Sequence, residues 1–264
     1  MDALNEKLAR LRSELTALGS VAVAFSGGVD STLLLYVTRE ALGGENCLAV
    51  TARSVFVPAR EADEAAALCR QFGAQQLVLD LDVLAVPGVA ENPPERCYYC
   101  KRAILGRICA EAAARGLRAV VEGSNVDDRS DDRPGARAVA ELGVRSPLLE
   151  AGLTKAEIRE LSRRFGLPTA GKPAAACLAS RVARGEAITP EALRRVAAGE
   201  DYLRGLGLTQ LRVRTAGGDA RIEALPAEFD LVMARAKEVE AALRGLGFRR
   251  VTLDLGGYRR GGAS

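Results

Sequence analysis

Histidine is absent from this chain of 264 residues. Ser-His-Asp and Cys-His catalysis are thereby excluded, because both use an imidazole to take the nucleophile's proton. Any metal must be held by sulfur and oxygen. No stretch approaches the roughly 18 uninterrupted apolar residues of a membrane-spanning helix. The opening "MDALNEKLARLRSELTAL" carries the charge pattern of an amphipathic helix rather than the apolar run of a secretory signal. A cytoplasmic protein with no membrane partner is the expectation. Charge of one sign is also scarce: 37 basic against 34 acidic residues leave +3, which argues against nucleic acid as a partner. Only five of the 37 are lysines. A bias of base composition accounts for the arginine excess, and their scarcity makes the lysines individually informative.

A G-x-x-x-x-G-K-[ST] phosphate loop is also missing, which argues against a Walker-type ATPase. Six cysteines stand at 47, 69, 97, 100, 109 and 177, with one C-x-x-C pair, "ERCYYCKR" (95–102), and no second. Such a pair serves as a redox couple or as half of a metal site. Structural zinc needs four ligands, and without histidine that reading is weak.

Short apolar runs alternate with helical patterns through the first two thirds of the chain. "VAVAF" (21–25), "CLAVTARS" (47–54), "QQLVLDLD" (75–82) and "RAVVEGSN" (118–125) read as strands. Helices follow residues 31, 58 and 97, and a Thr154-x-x-Glu157 capping box opens another. This order predicts an α/β fold with a doubly wound parallel sheet. "VDDRSDDRPGARA" (126–138) reads as a turn-rich loop. The order after residue 190 is helix, strand, strand, helix (227–245), strand, a smaller C-terminal α+β domain. The expected divisions are residues 1–170, a connector 171–189 carrying Cys177, and residues 190–264.

"VAVAFSGGVDST" is the strongest signal. Gly27 and Gly28 let the backbone turn sharply off a strand, Ser26, Ser31 and Thr32 add hydroxyl donors, and the next helix points its positive end at the same spot. Asp30 would repel phosphate unless it binds a cation, which makes it the natural Mg²⁺ ligand. The six residues "SGGVDS" resemble the pyrophosphate-binding loop of the adenine-nucleotide α-hydrolase-like (PP-loop) superfamily. "EGSN" (122–125) and "SPLLEAGLTKAEIREL" (146–161) are similar to that superfamily too. The resemblance implies ATP cleaved between the α and β phosphates, with Ser26, Gly27, Gly28, Asp30, Ser31 and Gly123 at the nucleotide.

Helix phase separates the cysteines. Cys109 is half a turn away from Cys100 and shares a face with Leu105, Ile108 and Ala112, which makes it a core residue. Cys47 and Cys69 read the same way. Cys97 and Cys100 open a helix beside Arg96, Lys101 and Arg102, where positive charge and the helix dipole favour thiolate. Cys177, in "KPAAACLASR", is flanked by small residues. It reads either as a reactive thiol or as another small buried hydrophobe.

These motifs, with "RVRTAGGDARIE" and "SNVDDRSDDRPGARA", closely resemble the ATP-dependent sulfur transferases of LarE type. The likeness runs from about residue 5 to 258. It implies adenylation of the carboxylates of pyridinium-3,5-biscarboxylic acid mononucleotide, then displacement of AMP by sulfur to give thiocarboxylates for a nickel-pincer nucleotide cofactor. In some members a single cysteine matching Cys177 gives up its own sulfur; others hold a [4Fe–4S] cluster on three cysteines. Cys97, Cys100 and Cys177 together place this chain with the second type. Within the resemblance Cys177, Lys101 and Asp30 are the expected catalytic residues. Ser180, Arg181, Glu200, Arg212 and Arg214 are expected to hold the anionic substrate. Taken alone, Arg212 and Arg214 would read as a solvated strand face, and Glu200 as a surface carboxylate. The expected assembly is a homo-oligomer such as a hexamer. A tRNA thiolase is the alternative; it would need an RNA-binding surface that this charge balance does not announce.

Overall fold

The computed structural model describes residues 3–130, 134–173 and 177–258. The described residues of 1–83 and 97–175 form one compact unit, and those of 84–96 and 176–264 form a second.

In the first unit, α1 (Ala3–Leu18) places Leu4, Leu8, Leu11 and Leu15 three or four residues apart, and this stripe is buried. Strands β1 (Val21–Ala24), β2 (Cys47–Arg53), β3 (Gln75–Asp80) and β4 (Ala119–Val121) form a parallel sheet in the order β3-β2-β1-β4. The connecting helices are α2 (Val29–Leu42), α3 (Ala59–Phe72) and α4 (Arg96–Ala114). After β4 come α5 (Pro134–Glu141), the short α6 (Pro147–Glu150) and α7 (Lys155–Arg164). Side chains alternate across the sheet. Val21, Val23, Ala49 and Val121 enter a core with α1, α2, α3 and α7. Ala22, Val50 and Val120 enter another with Leu105, Ile108 and Ala112 of α4 and Val139 of α5. Helices therefore cover both faces, and the doubly wound α/β expectation holds.

Strand order reverses beside β1: β2 and β3 lie to one side, β4 to the other. At such a switch point the loops leaving the carboxyl ends of neighbouring strands diverge and open a crevice. The loops in question are "SGGVDS" after β1 and "EGSN" after β4.

In the second unit, α8 (Pro190–Gly205) is capped by the Thr189 side chain, which accepts from the Ala192 amide. Strands β5 (Leu211–Ala216) and β6 (Asp219–Ala224) pair antiparallel. Helices α9 (Phe229–Met233) and α10 (Ala236–Gly245) lead to β7 (Val251–Leu253), which is parallel to β6. Residues 84–96 join this unit through the buried Asn92, whose side chain donates to the Ala183 carbonyl at 2.8 Å, and through the Ile188 amide, which donates to the Ala90 carbonyl at 2.7 Å.

Two local expectations are corrected. The loop expected over 126–138 contains the start of α5, because Pro134 suits a helix's first turn and Ala138 and Val139 are buried on one side of the helix. The single helix expected over 227–245 is interrupted between Met233 and Ala236. The capping box is present as read: Thr154 accepts from the Glu157 amide while Glu157 accepts from the Thr154 amide. Thr154→Ala removes one half of that exchange and should lower the stability of the first unit by about 1 kcal/mol. Urea denaturation followed by circular dichroism measures it, and an unchanged midpoint would contradict the cap's contribution.

Candidate functional site

In the first unit the loop after β1 is held by its own hydroxyls. Ser26 and Ser31 Oγ atoms are 3.1 Å apart, the Ser26 amide donates to Ser31 Oγ at 3.3 Å, and Ser31 Oγ donates to the Gly28 carbonyl at 3.2 Å. Gly27 sits at φ +70°, and a Cβ there would come within 3.1 Å of the Ala65 Cβ. Gly28 is the N-cap of α2 and offers no side-chain cap. The first amides of α2 therefore keep their capacity to receive an anion. Gly123 lets the loop after β4 close on this turn, since a Cβ there would lie 3.1 Å from the Ser31 amide nitrogen.

Three of the five lysines point at these two loops. Lys155 Nζ pairs with the Asp30 carboxylate, whose other oxygen accepts from Asn125 Nδ2 at 3.2 Å. Lys172 Nζ donates to the Gly27 carbonyl at 3.0 Å and to Glu64 at 2.7 Å. Lys101 Nζ donates to Glu122 at 3.1 Å. Glu122 is buried and also accepts from Ser146 Oγ at 2.6 Å and from the Ser124 amide at 3.0 Å. Burial alone would raise its carboxyl, but the Lys101 charge and these hydrogen bonds prevail and hold it below the ordinary range.

The cysteines divide by surroundings. Burial pushes the Cys47 thiol up to about 12 and the Cys69 thiol up to about 11, so both remain protonated at neutral pH. Cys109 is raised by burial as well and packs against the α4 core. Cys97 and Cys177 are exposed and Cys100 is half-buried. Cys97 and Cys100 stand one helical turn apart at the start of α4, in the first unit; Cys177 precedes a 3₁₀ turn (Leu178–Arg181) in the second. Among the described residues no group of three or more Cys, Asp or Glu side chains is gathered to hold a metal ion. The helix α5 braces α4 at this end: Arg137 stacks 3.5 Å over the Tyr98 ring, and Tyr98 OH donates to Glu141 at 2.8 Å.

The second unit gathers buried charge. Arg181, 3 % exposed, donates to both oxygens of Glu200, 2 % exposed, at 2.8 and 3.2 Å. It also donates to the Cys177 carbonyl at 3.0 Å and to Ser180 Oγ at 3.1 Å. Glu200 further accepts from Arg204 at 2.9 Å and from the Val213 amide at 3.2 Å. A surface role for Glu200 is thus ruled out. Burial would raise the Glu200 carboxyl, but the bond and charge of Arg181, with Arg212 and Arg204 behind, hold it below the ordinary range. Arg214 donates to Glu223 at 2.6 Å and to the Ser180 carbonyl at 2.8 Å. Arg212 donates to the Leu211 carbonyl at 2.7 Å and to Tyr258 OH at 3.3 Å. Its guanidinium is lowered from the ordinary value, first by burial and then by the Arg181 charge. Arginines 181, 204, 212 and 214 lie around two buried carboxylates, Glu200 and Glu223; Arg204 also pairs with Asp201 at 2.9 Å, and Arg221 reaches Glu223 at 3.2 Å.

A family model described as NAD synthase matches residues 3–87. The chain is 39% identical to the pyridinium-3,5-bisthiocarboxylic acid mononucleotide synthase of Lactiplantibacillus plantarum, over 99% of this chain and 95% of that protein. This chain belongs to that synthase's family. The LarE-type resemblance and the PP-loop class of the first unit are thereby established. An uncharacterised protein of Synechocystis is 40% identical over 98% of this chain and 97% of its own length. Another, from Methanocaldococcus jannaschii, is 26% identical over 96% and 98% respectively.

Sequence reasoning named Asp30, Gly123 and Lys101 but missed Lys155, Lys172, Asn125 and Glu223. Lysine's scarcity was the available signal for the first two. No local pattern marks Glu223, which sits buried under Arg214.

Two outcomes follow from these geometries. Gly27→Ala combines left-handed backbone with a Cβ pressed on Ala65 and should cost about 1–3 kcal/mol. Gly28→Ala, at φ −79° with only Ser26 Oγ at 3.5 Å from the new Cβ, should cost less. Equal midpoints in urea would contradict the reading. Glu200→Gln strips the buried arginines of their carboxylate and should cost about 3–5 kcal/mol at neutral pH. Because Glu200's folded value is depressed, its contribution is complete above the unfolded carboxylate value of about 4.3. It is lost as pH falls through the folded value. The wild type should therefore converge on the variant as acid is added below that point; parallel stability curves would be the contrary result.

Proposed function

We propose that this chain is an ATP-dependent sulfur transferase that converts the carboxylates of pyridinium-3,5-biscarboxylic acid mononucleotide to thiocarboxylates. The observation that carries the proposal is the near full-length match to a synthase named for the bisthiocarboxylic product. A carboxylate is a poor electrophile. Its oxygen attacks the α-phosphorus of ATP, pyrophosphate leaves, and the acyl adenylate then has AMP as a leaving group. A sulfur nucleophile adds to the acyl carbon, AMP departs with the C–O electron pair, and a thiocarboxylate remains. The sequence runs twice per substrate.

The loop after β1 suits the nucleotide phosphates, with Ser26, Gly27, Gly28, Ser31 and Gly123 forming its walls. Asp30 fits Mg²⁺, which commonly takes one or two protein carboxylates and completes its shell with phosphates and water. Lys101, beside Glu122, is the candidate to stabilise charge that builds during adenylation. In the second unit Ser180, Arg181, Glu200, Arg212 and Arg214 suit a substrate carrying two carboxylates and a phosphate. The support for that role is the clustering of arginine donors, whose forked geometry suits carboxylate and phosphate; Arg181 and Arg214 share theirs with Glu200 and Glu223.

Cys97, Cys100 and Cys177 are the candidate ligands of a [4Fe–4S] cluster. Thiolates are the donors such clusters take; Cys97 and Cys177 are exposed and Cys100 is half-buried. Held by these three thiolates, a cluster would supply sulfide for the transfer. A cytoplasmic homo-oligomer, with residues 1–170 as the ATP-binding domain, 171–189 as the connector and 190–264 for substrate and assembly, completes the proposal.

The test is anaerobic reconstitution with iron and sulfide, followed by mass analysis of the mononucleotide product and of the protein. The expected result is thiocarboxylate product, stoichiometric iron lost in Cys97→Ala, and an unchanged Cys177. Product without iron, accompanied by loss of H₂S mass from Cys177, would replace the cluster with sacrificial sulfur donation. No thiocarboxylate under either condition would overturn the assignment.

A further inference from the structure

We infer that Lys155 is a resident counter-ion for the cation site: it neutralises Asp30 while nucleotide is absent, and a divalent cation gains this carboxylate only by displacing it. The inference rests on the reading of Asp30 as the Mg²⁺ ligand and adds what the site does before metal arrives.

Both oxygens of Asp30 are engaged, one by the Lys155 ammonium and the other by Asn125 Nδ2 at 3.2 Å. The pair is only partly open to water, at 19 % exposure for the Lys155 side chain and 22 % for Asp30, so solvent screens it incompletely. Lys155 is not a chance surface partner. Its backbone is fixed at the first residue of α7 by the Thr154 capping box, and its amide donates to Asp127 at 2.8 Å. Asn125 is fixed in turn, its amide donating to Asp128 at 3.0 Å. The partners thus reach Asp30 from two elements held in place by bonds of their own, and only the lysine side chain is free to swing on its stem.

The chemistry explains why a lysine suits this position. An uncompensated carboxylate in the first turn of α2 would repel the phosphates that the neighbouring amides attract. An ammonium is a compact charge on four flexible methylenes, makes no bidentate grip, and can move aside. Once a cation arrives with the nucleotide, Asp30 is neutralised anew and Lys155 is released toward the phosphates. Metal and nucleotide should then bind cooperatively, since metal alone must compete with the lysine and has no phosphate to complete its shell.

Mn²⁺ binding to the full chain, read by electron paramagnetic resonance of the free ion, tests this with and without α,β-methylene ATP, which cannot be split at the reacting bond. The wild type should bind Mn²⁺ at least tenfold more tightly with the analogue than without it. Lys155→Met should bind Mn²⁺ alone at least tenfold more tightly than the wild type, and Asp30→Asn in that background should abolish the gain. An unchanged affinity in Lys155→Met overturns the inference. Lys155→Arg keeps the charge but grips the carboxylate with two donors, so Mn²⁺ affinity in the presence of analogue should fall severalfold; no fall would count against it equally. If Asp30→Asn alone leaves Mn²⁺ binding with analogue intact, the magnesium reading of Asp30 itself fails.

Discussion

A carboxylate in the first turn of a helix, beside amides able to receive an anion, must be neutralised, and much of the first unit is arranged to do so. Asp30 lies in the first turn of α2, beside amides that the Gly28 cap leaves without a side-chain acceptor. The groups that balance it come from the loop after β4 and the first residue of α7. The pairing of β1 with β4 brings these groups together, and Gly123 is the residue whose missing side chain lets the loop after β4 close on the turn after β1. The capping box of α7 and the buried Glu122 and Ser146, joined by Lys101, then hold the surrounding backbone and side chains in place.

The second unit gathers charge of both signs in its interior. Glu200 accepts from two arginines and a backbone amide, and Glu223 lies under Arg214. Arg204 pairs with Asp201 as well and Arg221 joins Glu223, and Arg212 is lowered by its burial and by Arg181. Beside a relative named as a bisthiocarboxylic acid mononucleotide synthase, this cluster of arginine donors suits the proposed substrate.

The sequence makes some of this legible and conceals the rest for physical reasons. Glycines and serines leaving a buried strand announce an anion loop because the backbone geometry and the donors are local. The capping box is legible for the same reason. The start of α5 is concealed because Asp-rich flanks and Pro-Gly suggest turns, while the proline serves as a helix opener and the apolar residues after it meet a distant core. Lys155 and Asp30 are 125 positions apart, and Lys172 and Gly27 are 145 apart. Their pairing depends on the completed sheet, so no window of sequence contains it. Glu200 reads as a surface carboxylate in a helical pattern, and only the packing of α8 on β5 buries it among arginines.

The central claim is that the loop built around Asp30 serves adenylation rather than simple hydrolysis or nucleotide storage. Its most direct test is the fate of labelled ATP, resolved with and without pyridinium-3,5-biscarboxylic acid mononucleotide under anaerobic conditions. AMP and pyrophosphate formed together, and only when that mononucleotide is present, are the predicted products. ADP and phosphate, or AMP released at the same rate without the mononucleotide, would contradict the account.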